Sequence, residues 1–369
     1  MKILHVEGGK KLYGGARQVL WLLKGLKAKS VENLLVCPHD AVIAHEASDL
    51  AHVFTVPFRG DWDITLVPSI YQIIRREKAD IVHIHSRRGA DSFALLGASL
   101  AQRPIVLTRR VDNTEPLWLV KRKYALVDHV VAISKTIQTL LIKEGVNPGK
   151  ISLVRSAVEP YRSKLDQASF YARFNLQKHH IPIGVVAQLI PRKGHHYLIE
   201  AMPAVLARFP SARFLFFGQG SEGENLKQKA QSKGIGHAVI FAGFHANVRD
   251  FLPHLTLLVH PALMEGLGVA LLEASLAGIP IVASHAGGIP EVVAHQENGL
   301  LVPPGDSHAL AESIIELLSN PQQRESLGRN GQRRAREQFS VEAMVEGNLR
   351  VYETIMAQAL VRNKRHPKG

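Results

Sequence analysis

Short apolar runs alternate with amphipathic stretches along this chain, in two separate series. The runs at 3–6, 33–37, 53–56, 81–85, 105–108, 130–133 and 151–154 have the length and β-branched content of buried strands. Between them, 19–28, 65–76, 90–101, 115–124 and 135–144 carry helical spacing. Strands that alternate with helices build a parallel sheet covered on both faces. Residues 159–180 are polar and lack strand signals, so a linker is expected at 160–180. A second series follows, with strands at 183–187, 213–217, 239–242, 255–260 and 281–283 and helices that include 197–207, 224–232 and 309–318. Residues 340–359 form a last helical pattern. A chain of 369 residues suits two domains of ordinary size. The expected fold class is α/β, with two Rossmann-like halves that place ligands at the C-terminal strand ends.

The densest information lies in Met264-Glu265-Gly266-Leu267-Gly268-Val269-Ala270-Leu271-Leu272-Glu273-Ala274. Apart from Glu265 and Glu273, no residue of 255–284 is an acid, lysine or arginine. An unpartnered buried carboxylate costs several kcal/mol, so this pair needs an explanation. Residues 256–260 read as a strand, Gly266 and Gly268 permit a tight turn, and 269–276 read as a helix stopped by Gly278 and Pro280. Glu265 then lies in the loop and Glu273 in the helix. One explanation is a helix-start cap and a solvent-reaching side chain. The other is a ligand: the helix N-terminus suits phosphate, and carboxylates accept hydrogen bonds from paired sugar hydroxyls.

Companion motifs occur in order along the chain. They are Tyr13-Gly14-Gly15-Ala16, Asp80-Ile81-Val82-His83-Ile84-His85-Ser86, Gln188-Leu189-Ile190-Pro191-Arg192-Lys193-Gly194-His195, Phe217-Gly218-Gln219-Gly220-Ser221, Ala286-Gly287-Gly288-Ile289-Pro290-Glu291 and Asn298-Gly299-Leu300-Leu301-Val302. With the Glu-x7-Glu pattern they resemble the retaining GT-B glycosyltransferases of family 4 (glycosyl transferases group 1), of the lipopolysaccharide-core or capsule type. The resemblance implies two Rossmann-like domains facing each other across a donor/acceptor cleft. The first would span 1–165, rejoined by a C-terminal helix at about 345–369, and the second, which binds the nucleotide sugar, 166–344.

The implied activity is a hexosyltransferase-type transfer from a nucleotide-diphosphate sugar, expected to be a UDP-sugar. The acceptor would be a hydroxyl of a cell-envelope glycan or lipid-linked molecule. Glu265 would orient the sugar and Glu273 would hold the ribose. Arg192 and Lys193, two cations between a strand and a helix, can clamp a diphosphate and offset charge on the leaving group. Gly14, Gly15, Gly218, Gly266, Leu267 and Gly268 would lie along the donor, and Phe244 beside its base. In the mechanism usually proposed for this class, the leaving phosphate takes the acceptor proton on the same face, so no metal or other cofactor is expected. Two departures stand out. Ala187-Gln188 replaces the Gly-Arg common before the basic loop, and Arg110 falls where many members have His. Arginine does not deprotonate, so Arg110 is expected to bind an anion of donor or acceptor, and His85 to line the acceptor side.

Other readings compete. Gly218-Gln219-Gly220-Ser221-Glu222-Gly223 fits a dinucleotide fingerprint, but the next strand ends at Ala242-Gly243-Phe244 without an acid. His83 and His85 share a strand face and could hold metal. Asp61-Trp62-Asp63 matches a metal-binding Asp-x-Asp pattern, yet Asp63 also suits the cap of helix 65–76. A nucleotide-binding or regulatory protein without turnover, on the same scaffold, is the alternative function.

Composition narrows the setting. Cys37 is the sole cysteine, which excludes an internal disulfide and a cysteine zinc site and fits a reducing cytoplasm. The first residues are a short strand, not a signal peptide, and no apolar stretch is long enough to span a membrane. Residues 1–160 hold 23 Lys/Arg against 15 Asp/Glu, and 350–369 hold 5 against 1, so the net +13 is concentrated there. That excess either serves solubility or faces an anionic membrane surface. No aromatic platform or reader motif supports nucleic acid. The expected location is cytoplasmic, peripheral on the inner face of the plasma membrane.

Overall fold

The computed structural model describes residues 1–60, 62–85 and 90–365. Asp61, Ser86 and the last four residues of the 345–369 segment lie outside this set. The chain divides into two compact units: Met1–Ala157 together with the chain from Val341 onward, and Val158–Ser340.

Unit 1 is a parallel sheet of seven strands: β1 (Lys2–Val6), β2 (Glu32–Pro38), β3 (His52–Val56), β4 (Ile81–Ile84), β5 (Ile105–Arg109), β6 (His129–Ala132) and β7 (Ile151–Leu153). Their spatial order is β3-β2-β1-β4-β5-β6-β7. The chain winds outward from β1 through β2 to β3, then restarts at β4 on the other side of β1. One face of the central strands carries an apolar layer of Ile3, Ile81, Val106 and Val131. The helices Gly14–Ala28 and Val341–Arg365 cover it through Trp21, Leu22, Leu26, Val345, Tyr352 and Ile355. The two helices approach closely at Gly25, where a Cβ would come within 2.4 Å of Val345.

Unit 2 repeats the scheme with β8 (Ile181–Val186), β9 (Ala212–Phe217), β10 (Val239–Gly243), β11 (Leu257–His260), β12 (Ile281–Ser284) and β13 (Leu300–Val302), in the order β10-β9-β8-β11-β12-β13. Its core gathers Ile183, Val185, Phe214, Phe216, Leu257 and Val259 under Leu198, Met202 and Ile314.

Several expectations shift at the edges. The first helix starts at Gly14, so Gly14 and Gly15 form its first turn rather than a loop before it. The helix expected from 115 begins at Leu117, because Pro116 disfavours helical backbone before it. Glu115 is instead buried against Arg109, at 2.5 Å, and Lys123, at 3.1 Å. Asp63 does not cap: Thr65 is the N-cap of Leu66–Glu77, and Asp63 accepts from the backbone of Arg59 and Thr65 just before it. The interval read as a linker contains a helix, Gln167–Arg173, capped by Asp166 and packed through Phe170 inside unit 2. Among the described residues, no helix is long and apolar enough to cross a membrane.

Candidate active site

In a doubly wound sheet, the two strands flanking the reversal point send their following loops to opposite sides, which opens a crevice at their C-terminal ends. In unit 2 those strands are β8 and β11. The loop after β8 holds Gln188–Gly194, with His195 opening the next helix, and the loop after β11 holds Glu265. Lys193 and Glu265 are 72 positions apart, yet Lys193 Nζ lies 2.6 Å from Glu265 Oε2. His260, the last residue of β11, completes the cluster with Nε2 at 2.9 Å from the same oxygen. Burial pushes the Glu265 carboxyl up, but Lys193 and His260 outweigh it and hold the group well below the usual glutamate range. Glu265 is therefore an ionised carboxylate.

Backbone contacts lock the two loops together. Leu263 N donates to Arg192 O at 2.9 Å, and Gly288 N donates to Glu265 O at 2.8 Å. Gly194 adopts φ +68°, and a Cβ there would stand 1.9 Å from Pro261 O. Only glycine tolerates both conditions at once. Gly268 is left-handed at φ +95° and opens the helix Val269–Leu276, behind the buried Leu267. Gly266 lies between Glu265 and this turn, with its carbonyl packed against Gly288.

The second glutamate is also placed. Glu273 is buried in that helix, and its Oε1 lies 3.9 Å from Arg249 Nε. Arg249 also rests over the Tyr161 ring at 4.4 Å. Arg192 has no carboxylate partner among the described residues, unlike its neighbour Lys193. Gly218 follows β9, and a Cβ there would meet Ala187 O at 1.9 Å. The glycine turn thus serves close packing of the loops after β8 and β9. Phe244 is the first residue beyond β10.

Unit 1 has an equivalent reversal point between β1 and β4. His85 directly follows β4, and Arg110 directly follows β5. Arg109 and Arg110 diverge: Arg109 joins the Glu115 cluster, whereas Arg110 runs beside the first turn of Gly14–Ala28. A Cβ on Gly15 would be 3.7 Å from Arg110 Cδ. Burial lowers the Arg110 guanidinium to about 10, with Glu7 and Tyr352 opposing, so it remains a cation at neutral pH. His83 bridges Tyr352 Oη and Thr108 Oγ1, each at 2.6 Å.

Three residues beyond the sequence reading belong to these sites. His260 holds Glu265, Arg249 pairs with Glu273, and His5 bonds His85 at 2.9 Å. The only hint of His260 was its place at the end of the strand before the glutamate loop.

Two doubly wound parallel units of this kind are the architecture of the GT-B glycosyltransferases, and solved structures of that class match the chain. The Anabaena protein HepE, in complex with UDP and glucose, superposes with a TM-score of 0.83 at 23% identity, over 96% of this chain and 99% of that one. Residues 13–162 match the profile of Glycosyltransferase Family 4, and residues 169–334 match that of Glycosyl transferases group 1. The chain belongs to the group 1 glycosyltransferases and is an enzyme. It is 26% identical to the lipopolysaccharide core biosynthesis glycosyltransferase LpsE of Rhizobium meliloti, over 95% of this chain and 98% of that protein. It is also 26% identical to a glycosyltransferase of Methanocaldococcus jannaschii, over 62% of this chain and 60% of that protein's length.

Proposed function

We propose that the enzyme transfers a sugar from a UDP-sugar to a hydroxyl of a cell-envelope glycan or lipid-linked acceptor, with retention at the anomeric carbon. The cluster of Lys193, Glu265 and His260 carries this reading. Lys193 uses one N–H on Glu265 and keeps two for a diphosphate. Arg192 adds a second cation from the same turn. Glu265, ionised and fixed from two sides, can accept from sugar hydroxyls, and Glu273 from the ribose. The bond from the anomeric carbon to the diphosphate breaks as a bond to the acceptor oxygen forms on the same face. The hydroxyl proton passes to the leaving phosphate, so neither a protein nucleophile nor a metal is needed. Fixed cations aimed at the departing charge supply the acceleration. The UDP held by HepE and the lipopolysaccharide role of LpsE support the donor and acceptor classes. The basic excess of 1–160 supports work on the cytoplasmic face of an anionic membrane.

A thermal-shift panel of UDP, GDP, ADP, CMP and NAD tests the donor. UDP at about 100 times its dissociation constant adds roughly 2.7 kcal/mol, which is about 5–11 °C in domains of this size. A shift with NAD alone overturns the reading. Full transfer by a Glu265→Ala variant overturns the assignment of Glu265.

A further inference from the structure

One helix of unit 1 carries its polarity the wrong way round. Leu117–Ala125 follows β5 and turns Val120, Lys123 and Tyr124 inward. Leu117 and Trp118 face solvent, 62% and 64% exposed, and Leu126, just past the last turn, is exposed with them. A helix on the surface of a globular unit usually buries its apolar stripe and shows its charges to water. Here an ammonium is inside and a tryptophan is outside.

The inner face explains why the helix cannot turn over. Lys123 Nζ lies 2.6 Å from Asp91 Oδ2 and 3.1 Å from Glu115 Oε1, and Arg109 Nη1 lies 2.5 Å from the same glutamate oxygen. All four residues are buried. Glu144 Oε1 accepts from Glu115 N at 2.9 Å and ties this network to the next helix, Lys135–Lys143. Rolling Leu117–Ala125 to cover Trp118 would withdraw Lys123 from two buried carboxylates, which is strongly destabilising. Charge therefore fixes the outward orientation.

The outer face is uniform in kind. At 3.6 residues per turn, positions 117, 118, 121, 122 and 125 fall within an arc of about 140°. That arc holds Leu117, Trp118, Lys121, Arg122 and Ala125, all exposed, with no acid, amide or hydroxyl among them. Trp118 stands between the two cations, about 60° from Lys121 and about 40° from Arg122. Neither cation has an ion-pair partner among the described residues. Trp62 and Ile64, 90% and 66% exposed, lie between β3 and the helix Leu66–Glu77. Strand-to-helix connections of a parallel sheet emerge at its carboxyl edge, so this second apolar pair shares that edge with Arg110 and the start of Leu117–Ala125.

A bilayer surface with anionic headgroups fits such a face. Tryptophan concentrates at the membrane–water boundary, where its ring is apolar and its N–H meets water. Lysine and arginine beside it attract anionic lipid. A stable protein interface uses roughly 20–30 residues a side, far more than this short helix offers, whereas a bilayer needs no matched shape.

We infer that the outward face of Leu117–Ala125 is a membrane-docking surface whose partner is a bilayer rich in anionic headgroups. Leu117 and Trp118 enter the headgroup boundary, and Lys121 and Arg122 meet lipid phosphates. This rests on the reading above of a cell-envelope or lipid-linked acceptor. The helix lies on the bilayer without spanning it, since no helix among the described residues is long and apolar enough to cross. Docking there holds the edge that carries Arg110 against the surface from which a lipid-linked acceptor is presented.

The test is co-sedimentation of the full-length protein with vesicles of phosphatidylglycerol and phosphatidylcholine in equal parts, against phosphatidylcholine alone. Binding to the anionic vesicles is expected, and it should weaken as salt is raised. Lys121→Gln/Arg122→Gln should bind them about 25-fold more weakly, about fivefold for each cation. Leu117→Gln/Trp118→Gln should lose roughly tenfold or more. Both variants should keep the wild-type melting point, because all four side chains are exposed. Arg75→Gln/Lys143→Gln removes two exposed cations from the last turns of other unit 1 helices and should change binding by less than about twofold. A wild type that ignores anionic vesicles overturns the proposal. So does equal weakening by the two charge pairs, which would leave only the net charge of unit 1. A solution dimer abolished by Leu117→Gln/Trp118→Gln, with vesicle binding intact, assigns the face to a second copy and overturns it too. A wild type with no UDP-induced melting shift refutes the donor reading instead, and the vesicles still decide the docking face.

Discussion

Neutralising both partners of the Lys193–Glu265 pair should cost no more than neutralising one. The side chains are 10% and 16% exposed, and their charges meet at 2.6 Å. At an effective dielectric of about 20, the gross attraction is roughly 6 kcal/mol, and desolvation offsets much of it. Removing one partner leaves a buried charge without its ion-pair partner, Lys193 with none and Glu265 with only the His260 hydrogen bond, which costs about 3–5 kcal/mol. Lys193→Met and Glu265→Gln should therefore each lower the unit 2 melting point by roughly 6–20 °C. The double variant should lose no more than either single variant, a coupling of about 3 kcal/mol or more. Urea denaturation of the four proteins measures it. Acid gives a second reading of the same pair. Because the carboxyl is depressed in the folded state, its stabilisation is complete above about pH 4.3 and is lost as the pH falls toward the folded value. Glu265→Gln should remove that dependence. Single losses that simply add, within about 0.5 kcal/mol, would refute the reasoning and return Lys193 to an exposed cation.

Two further outcomes are expected. Gly194→Ala should destabilise by clearly more than the roughly 1–2 kcal/mol of a left-handed backbone, because its Cβ meets Pro261 O, and should blunt the nucleotide-induced melting shift. Gly234→Ala, at φ +72° with open space around it, should show the backbone cost alone, and equal losses in urea would contradict the loop contact. His5 and His195 are buried with values near 3, so the unfolded chain takes up their protons first as the pH drops below about 6.5. Stability should thus fall by about 2 kcal/mol for each between pH 7 and 5, measured by urea midpoints, and a flat or rising profile would show that the two rings are solvated.

The alternation of strands and helices was legible because each buried strand is a compact run of apolar residues. The Glu265–Glu273 spacing and the Arg192-Lys193 turn were legible because charges are conspicuous in apolar surroundings. That Lys193 meets Glu265 was not legible as a contact, since it follows from β8 lying beside β11, a neighbour relation no local pattern encodes. His260 and His5 read as strand residues, and only the register turns them toward their partners. The helix Pro321–Gln338 was missed for another reason. It buries Leu327, Gly328, Gly331 and Ala335, and a Cβ on Gly328 would sit 2.1 Å from Gly278 O. A helix that docks through bare backbone leaves little hydrophobic period to read.

The return of the helix Val341–Arg365 to unit 1 sets an order of events during synthesis. Unit 2 is continuous in the chain, and its ends are stitched together where Val158 N donates to Phe339 O at 2.8 Å. It can close as soon as residue 340 leaves the ribosome. Unit 1 is translated first but needs Val345, Val351, Tyr352 and Ile355 to roof its apolar layer. At about 5–20 residues per second, the sheet of unit 1 waits roughly 10–40 seconds with that layer open. The part of the enzyme made first is therefore the part finished last, and it is the part that depends on protection while it waits.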